Sequence, residues 1–267
     1  MRATAELYLQ QFKTSFAMML QYRAALVIWL IGQVLEPVIY LIVWSTVARA
    51  GGGRVGEYTS ADFAAYFLVL MIVNHVTYTW IMWEYEYRVR EGGLSPVLLR
   101  PVHPIHNDIA DNLTSKMVSL PGMLLTAVGL GLIFRPDFTL VPWSVVAFLP
   151  ALALAFVVRF LVEWSLALAA FWTTRVGAIN QVYFVLMLFL SGQMAPLELL
   201  PEWLQTIASV LPFRWVVAFP VELVLGRLTP SEVVTGFAAQ VIWIVLGLAL
   251  VRIVWRSGVR RYSAVGA

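Results

Sequence analysis

The stretch EYEYRVREGGLSPVLLRPVHPIHNDIADNLTSK, from Glu84 to Lys116, lies between two long apolar runs and governs how they are arranged. It is rich in charged side chains and is broken by Gly92-Gly93 and by three prolines. Between the breaks lies a short apolar patch, Val97 to Leu99, long enough for about one or two helical turns. A short exposed helix with an apolar tip suits docking into a groove of another protein. The alternative is a solvated loop between two membrane spans.

Outside this stretch the composition is that of a membrane protein. Of 267 residues, 61% are hydrophobic and only 12% are charged, whereas a soluble domain carries about 25% charged residues. The absence of cysteine from the sequence excludes a disulfide framework and thiolate chemistry. Nucleic-acid binding is not expected, because the basic residues form no stripe on a soluble face.

Residues 3–22 predict an amphipathic helix. Leu9, Phe12, Phe16 and Leu20 recur at helical spacing, and polar side chains fall on the opposite side. We interpret this segment as a helix lying in the membrane interface. The alternative is that it forms the polar start of the first span.

Six apolar segments are predicted to cross the membrane, which makes the fold all-α and polytopic. The predicted spans are residues 24–47, 62–83, 117–134, 143–171, 179–194 and 232–254. The fifth is short and is followed by residues 195–230, which contain five prolines and three glutamates. Such residues exclude a straight helix in lipid. We therefore predict broken, re-entrant helices on the extracellular side before the last span.

The distribution of Lys and Arg predicts the orientation. With the N-terminus inside, the inside segments hold twelve basic residues: Arg2, Lys13, Arg23, Arg88, Arg90, Arg100, Lys116, Arg175, Arg252, Arg256, Arg260 and Arg261. The outside segments hold five: Arg49, Arg54, Arg135, Arg214 and Arg227. This bias places both termini, and the loop at residues 84–116, in the cytoplasm. The expected location is the inner or plasma membrane.

Motifs for nucleotide or metal chemistry are absent from the sequence. There is no G-x-x-x-x-G-K-[ST] loop for ATP and no H-E-x-x-H or Cys/His cluster for a metal. His103 and His106 are three residues apart, but Pro104 prevents a shared helical face, so we predict surface roles for both. No catalytic residue and no cofactor bound by this chain is expected.

Polar side chains within the spans are the candidates for function, because each is costly in lipid. Trp29, Gln33 and Tyr40 share a helical face with Glu36, and Asn74-His75 lies in the second span. We predict that these six residues line a translocation path; the alternative is hydrogen bonding between helices.

A second set of intramembrane charges is predicted to be structural. Arg159 and Glu163 are four residues apart in the fourth span, so they can pair on one face of the helix. A pair that satisfies itself in this way is a natural scaffold, and we predict a structural ion pair.

Together these pieces resemble the permease subunit of ABC-2-type exporters. The resemblance rests on an N-terminal interfacial helix, six spans, the loop with LLRP at Leu98–Pro101, and the broken segment FLSGQMAPLELLPEWLQTIASVLPFRW at residues 189–215. It covers nearly the whole chain, and the architecture is more specific than any one motif. In the branch that it resembles most, LLRP is followed by a further short helix, here residues 98–111.

The resemblance implies a role for each region. The loop between spans two and three is the coupling helix that docks on a separate ATPase subunit, which carries ATP and Mg²⁺. Here it would use Val97, Leu98, Leu99, Arg100 and Pro101. The segment before the last span caps the extracellular end of the path, here with Gly192, Gln193, Pro196 and Glu198. Members pair with an identical or a sister permease in the lipid bilayer, and are linked to export of drugs, viologen-like cations or lipid-like compounds.

Two other classes remain as alternatives. The first is a proton-coupled secondary transporter that uses Glu36, His75 and Glu163. That class typically has internal repeats, and none is convincing between residues 24–134 and 143–254. The second is an integral-membrane enzyme, which the lack of a clustered acid/base or metal set argues against.

Overall fold

The computed structural model describes residues 2–21, 23–138, 141–173 and 176–262, and these are helical almost throughout. The helices are α1 (Arg2–Gln21), α2 (Arg23–Ala50), α3 (Ser60–Thr77), α4 (Ile81–Arg90), α5 (Ser95–Leu98), α6 (Pro104–Phe134), α7 (Pro142–Ala167), α8 (Gly177–Leu190), α9 (Glu202–Val210), α10 (Pro212–Val216), α11 (Ala218–Val224) and α12 (Pro230–Val259). Short 3-10 turns lie at Leu168–Phe171 and Leu197–Leu199. The antiparallel strands β1 (Arg54–Val55) and β2 (Tyr58–Thr59) form a small hairpin in the predicted polar connector.

The predicted class, an all-α polytopic membrane protein, is confirmed. Five helical segments in the described part of the chain are long and apolar enough to cross a membrane: Val27–Ala50, Ser60–Arg90, Pro104–Phe134, Pro142–Phe171 and Pro230–Val259. The apolar helix α8 has 14 residues, or roughly 21 Å at 1.5 Å per residue, against about 30 Å of hydrocarbon. A crossing by residues 179–194 therefore stays a prediction. Arg175, counted among the inside residues, lies outside the described residues.

Two features around the central loop differ from the simplest form of the prediction. The second span, predicted over residues 62–83, lies within the candidate span Ser60–Arg90, and its helix is divided at Tyr78–Trp80 into α3 and α4. The third span begins at Pro104 and continues to Phe134, so the separate short helix expected over residues 98–111 does not form. The backbone N–H at the first position of a helix has no partner within the helix, and proline has no such N–H to leave unpaired. This explains why α6 begins at Pro104. Only residues 91–103 connect the long helices.

Helix α3 is the centre of the bundle. Its Phe63, Tyr66, Phe67 and Met71 are fully buried, and α2, α6, α7 and α11 pack around it. The start of α3 is fixed by a capping box in which Thr59 and Asp62 each bond the other's backbone N–H. Such caps contribute about 0.5–2 kcal/mol to helix stability.

Close packing of α12 against its neighbours depends on small residues. A Cβ atom added at Gly236 would lie 2.0 Å from the ring of Phe219, and one added at Gly247 would lie 2.9 Å from Leu161. Glycine at both positions therefore permits close approach between helices, as in other membrane bundles.

We call the end of the bundle that carries residues 91–103 the loop end, and the opposite end, with β1 and β2, the hairpin end. At the loop end α1 is tied to α6, because Gln11 Nε2 and Ser15 Oγ donate to Asp111 Oδ1 at 2.8 and 2.5 Å. Asp108 of α6 accepts from Arg88 of α4 at 2.7 Å and from Trp164 Nε1 of α7 at 2.9 Å. A helix, predicted over residues 3–22, is thus observed beside the loop at Arg2–Gln21; its place in the membrane interface stays a prediction.

Candidate translocation cavity

A cavity of about 410 Å³ lies in the side of the bundle, between α2, α3, α7 and α8. Its walls are Ile28, Trp29, Gly32, Gln33, Glu36, Pro37, Asn74, Tyr78, Trp80, Arg159, Phe184 and Gln193. Four of the six residues predicted for a translocation path, Trp29, Gln33, Glu36 and Asn74, are among them. Toward α8 the cavity adjoins an apolar hollow that shares Glu36, Phe184 and Gln193.

Glu36 supplies a free carboxylate to this cavity. It lies on α2 immediately before Pro37, and α2 continues through that proline. The proline cannot donate a backbone hydrogen bond, which leaves the carbonyl of Gln33 without its helical partner. Within the described residues the Glu36 side chain has no hydrogen bond or salt bridge, and it is exposed in the isolated chain. Its carboxyl group is available to a ligand in the cavity.

Three aromatic rings form one wall beside Gln33. The ring centroid of Trp29 lies 5.7 Å from that of Tyr78 and 5.4 Å from that of Trp80, and the latter two are 6.5 Å apart. Aromatic faces offer a large apolar surface with negative potential at the ring, which attracts cations at about 0.5–2 kcal/mol per ring.

The opposite wall is a hydrogen-bonded polar network. Gln193 Nε2 donates to Asn74 Oδ1 at 2.9 Å, and Arg159 donates to the same oxygen at 3.4 Å. The predicted pair is observed, with Arg159 Nε 2.7 Å from Glu163 Oε1 and side-chain exposures of 2% and 0%. The Arg159 charge is therefore balanced by Glu163, whereas the Glu36 charge has no such partner.

The other two residues predicted for the path lie elsewhere. His75 is buried beside a smaller cavity of about 140 Å³, with its ring nitrogens 2.7 Å from Gln33 Oε1 and 3.1 Å from Ser119 Oγ. Tyr40 stacks on Phe67, with ring centroids 6.2 Å apart. Trp29, Gln33, Tyr78 and Trp80 line both cavities, and Tyr40 belongs to the packing between α2 and α3.

Several residues of the cavity were missed or assigned differently from the sequence. The sequence predicts a structural role for Arg159 and a gate role for Gln193. Tyr78, Trp80 and Phe184 are not among the predicted path residues, because tyrosine, tryptophan and phenylalanine are common in spans and at interfaces. The place of Tyr78 and Trp80 in the wall depends on the division of the second span, described above.

The loop over residues 91–103 presents one free apolar side chain. Its single-turn helix α5 carries Val97 and Leu98, which pack against the core of the bundle. Leu99 is 87% exposed, and Arg100 and Pro101 are also exposed. The apolar patch expected over Val97 to Leu99 is therefore reduced to Leu99 as a projecting tip.

The residues predicted for an extracellular gate are mostly well packed. Gly192 has φ +87°, a backbone conformation that favours glycine, and its carbonyl accepts from Tyr66 Oη at 2.9 Å. Pro196 is buried, and the exposed Glu198 accepts from Tyr58 Oη at 3.4 Å. A gate role for these residues stays a prediction.

A buried carboxylate lies near this segment, outside the five candidate spans. Glu222 of α11 is 1% exposed, and its Oε2 accepts from Arg214 at 3.3 Å. Burial raises the pKa of Glu222 to about 7, which the Arg214 charge offsets only in part and the nearby Glu198 charge reinforces. Its other oxygen, Oε1, has no hydrogen-bond partner among the described residues.

Titration of Glu222 predicts a pH-dependent stability. Between the ordinary glutamate pKa of 4.5 and the raised value of about 7, the folded protein retains a proton that the unfolded chain has released. The free energy of unfolding therefore falls as the pH rises through this window. We expect Glu222→Gln to flatten the fall in Tm between about pH 5 and about pH 8, measured by thermal unfolding in detergent. The exposed Glu202→Gln is the control and should keep the wild-type slope; an unchanged slope in Glu222→Gln would contradict the assignment.

Within the described residues, no cluster of three or more His, Cys, Asp or Glu side chains is arranged to hold a metal ion. Comparison with known families gives one match: residues 34–266 match the family described as "ABC-2 family transporter protein". The matched region contains Glu36, the polar network and the loop with Leu99. No curated protein matches the chain.

Proposed function

The chain belongs to the ABC-2 transporter family, and from that membership we propose that it is the permease subunit of an ATP-driven exporter. The observation that carries the proposal is the side cavity, which combines an unpaired carboxylate, an aromatic wall and a balanced polar network inside a bundle of apolar helices. A transport component needs such a polar opening at membrane depth, and polar groups are otherwise costly there.

ATP hydrolysis takes place on a separate subunit in this proposal. The sequence contains no P-loop, so ATP and Mg²⁺ belong to the partner. The loop at residues 91–103 is the docking element, with Leu99 inserted in a groove of the ATPase subunit. Support comes from the exposure of Leu99 and from the long helices α4 and α6, which lead from the loop into the bundle.

A second permease chain, identical or related, completes the path. The cavity opens to the outside of the bundle near α8, so one chain forms only part of an enclosed route. Alternating access then follows when ATP-driven closure of the ATPase subunits moves the two loops and rocks the bundles. Lipid covers the remaining apolar surfaces.

The substrate class is hydrophobic or amphipathic, which includes drug-like compounds. The aromatic wall formed by Trp29, Tyr78 and Trp80 suits an apolar body, and the carboxylate of Glu36 favours a positive charge on it.

The alternative of a proton-coupled transporter has weaker support. Glu163 is engaged by Arg159 and by Tyr183 Oη at 3.0 Å, and His75 bonds Gln33 and Ser119. Among the described residues neither is hydrogen-bonded to Glu36, so the three groups form no continuous proton relay.

The proposal is tested by reconstitution. The chain is co-expressed with an ABC ATPase encoded beside it, and inverted membrane vesicles are assayed for uptake of tetraphenylphosphonium. We expect ATP-dependent uptake that is lost when the P-loop lysine of the ATPase is replaced. Uptake driven by a proton gradient without ATP would replace this proposal by the secondary transporter.

The orientation gives a second test, since the absence of native cysteine means that single cysteines can be placed directly. We expect Gly52→Cys at the hairpin end to react with an impermeant maleimide in intact cells. Glu91→Cys and Arg261→Cys at the loop end should react only after permeabilisation. Labelling of Glu91→Cys from outside would reverse the orientation and remove the ATPase docking argument. Thr139 and Ser263, two further positions suited to this test by sequence, lie outside the described residues.

A further inference from the structure

The second span is interrupted at Tyr78–Trp80 without a local cause. The sequence from Thr77 to Ile81 contains neither glycine nor proline, the residues that usually break helices. A break removes backbone groups from their helical partners, and such groups must be satisfied at membrane depth. The cause must lie in the neighbouring helices.

Helix α6 satisfies the backbone on one side of the break. Lys116 Nζ donates to the carbonyl of Tyr78 and, at 3.3 Å, to the carbonyl of His75. These carbonyls belong to the C-terminal end of α3, where the helix dipole is negative and a cation is favourable. Lys116 thus caps α3 from another helix.

Helix α7 holds side chains immediately before the break and within it. Arg159 donates to Thr77 Oγ1 at 3.1 Å, and its guanidinium lies 5.3 Å from the ring centroid of Tyr78. Glu163 accepts from Thr79 Oγ1 and, at 2.7 Å, from Arg159 Nε. The Arg159–Glu163 pair, predicted to be a structural ion pair within α7, therefore also bonds two residues of the second span.

The break lies between the cavity and the loop. Tyr78 and Trp80 form part of the aromatic wall, while α4 leads from Ile81 to the loop that carries Leu99. A pivot of α4 at this point changes the position of the wall relative to Glu36. No other described segment joins the wall and the loop by so short a path along the chain.

We propose that Glu163 and Lys116 are positioning residues that keep the second span divided at Tyr78–Trp80. The division is a joint through which displacement of α4 and the loop moves the aromatic wall of the cavity. This inference rests on the proposed function, because it assumes that an ATPase subunit displaces the loop. The Arg159–Glu163 pair then helps to transmit movement of the loop to the cavity, which an ion pair confined to one helix would not do.

A distance measurement tests the joint directly in the complex with the ATPase. Spin labels at Gly52→Cys and Tyr87→Cys report across the joint, because Gly52 lies at the hairpin end and Tyr87 is a 68% exposed residue of α4. A control pair at Val234→Cys and Ile253→Cys lies within α12 and does not cross the joint. We expect trapping with ATP and vanadate to shift the first distance and leave the second unchanged. An unshifted first distance in a complex that hydrolyses ATP would overturn the proposal.

Variants at the joint distinguish a loss of coupling between the cavity and the ATPase subunit from a loss of substrate binding or of folding. We expect Thr79→Val to remove stimulation of ATPase activity by tetraphenylphosphonium, while its affinity, measured by tryptophan quenching, stays within about twofold of wild type. Thr126→Val is the matched control, because that hydroxyl bonds only the Gly122 carbonyl of its own helix among the described residues. Wild-type stimulation in Thr79→Val would overturn the joint, as would loss of binding in parallel with stimulation. A wild-type complex without ATPase or transport activity would instead refute the proposed function.

Discussion

Leu99→Glu should abolish stable association with the ATPase subunit. Leu99 is the one apolar side chain of the patch Val97 to Leu99 that projects freely. Burial of a leucine contributes about 1.5–3 kcal/mol, and a buried unpaired carboxylate adds a further cost. At about 1.4 kcal/mol per factor of ten, loss of the leucine alone weakens binding by roughly 10- to 100-fold. The measurement is co-purification of the two subunits from detergent, with ATPase activity as the second readout.

Two neighbouring variants control this experiment. Leu99→Met keeps an apolar side chain of similar volume and should retain the ATPase subunit. Leu98→Glu places a charge where the native side chain packs on the core, so it should lower the stability of the chain itself, seen as aggregation in size-exclusion chromatography. Full association and transport in Leu99→Glu would mean that residues 91–103 are a solvated connection.

Glu36→Gln should impair transport without lowering the stability of the protein. An acidic residue at mid-membrane costs about 2.5–3.5 kcal/mol on insertion, and glutamine removes the charge at nearly constant shape. Because Glu36 forms no hydrogen bond or salt bridge in the described part of the chain, and Arg159 is paired with Glu163, its loss leaves no buried charge unpaired. We expect equal or higher membrane abundance and Tm, with reduced stimulation of ATPase activity by tetraphenylphosphonium. Triphenylphosphine oxide, a neutral analogue, should be affected much less.

The control is Glu57→Gln, which changes an exposed carboxylate near the hairpin end, away from the cavity. It should leave both stability and stimulation as in wild type. Loss of assembly in Glu36→Gln before any change in stimulation would identify Glu36 as a packing residue. Normal stimulation in a well-assembled Glu36→Gln complex would remove it from the path.

The sequence predicts the helical spans well because length and apolar composition act locally. It also predicts the shared face of Trp29, Gln33 and Glu36, since residues three or four apart on one helix must face the same way. The same spacing placed Tyr40 with them, but packing against Phe67 removes Tyr40 from the cavity. Helical spacing identifies a face and does not say which neighbour covers each part of it.

Features that depend on distant residues were not predictable. The division at Tyr78–Trp80 is stabilised by hydrogen bonds from Lys116, Arg159 and Glu163. No residue close to it in the sequence predicts it. The partly buried position of Leu98 and the exposed position of Leu99 likewise depend on the core beneath α5. Pro104 itself indicates the start of α6, because proline is favoured at the first position of a helix. The charged residues that follow it favour a loop, which conceals this signal.

The division of the second span has a consequence for biosynthesis. Its stabilising partners are far along the chain: Lys116 follows Tyr78 by 38 residues, Arg159 follows Thr77 by 82 and Glu163 follows Thr79 by 84. When residues 60–90 leave the ribosome, Arg159 and Glu163 have not yet been made. We expect the nascent segment to enter the bilayer as one continuous helix, because that form satisfies its own backbone. We expect it to divide when the fourth span inserts, so that the side cavity takes shape only after more than half of the chain has been synthesised.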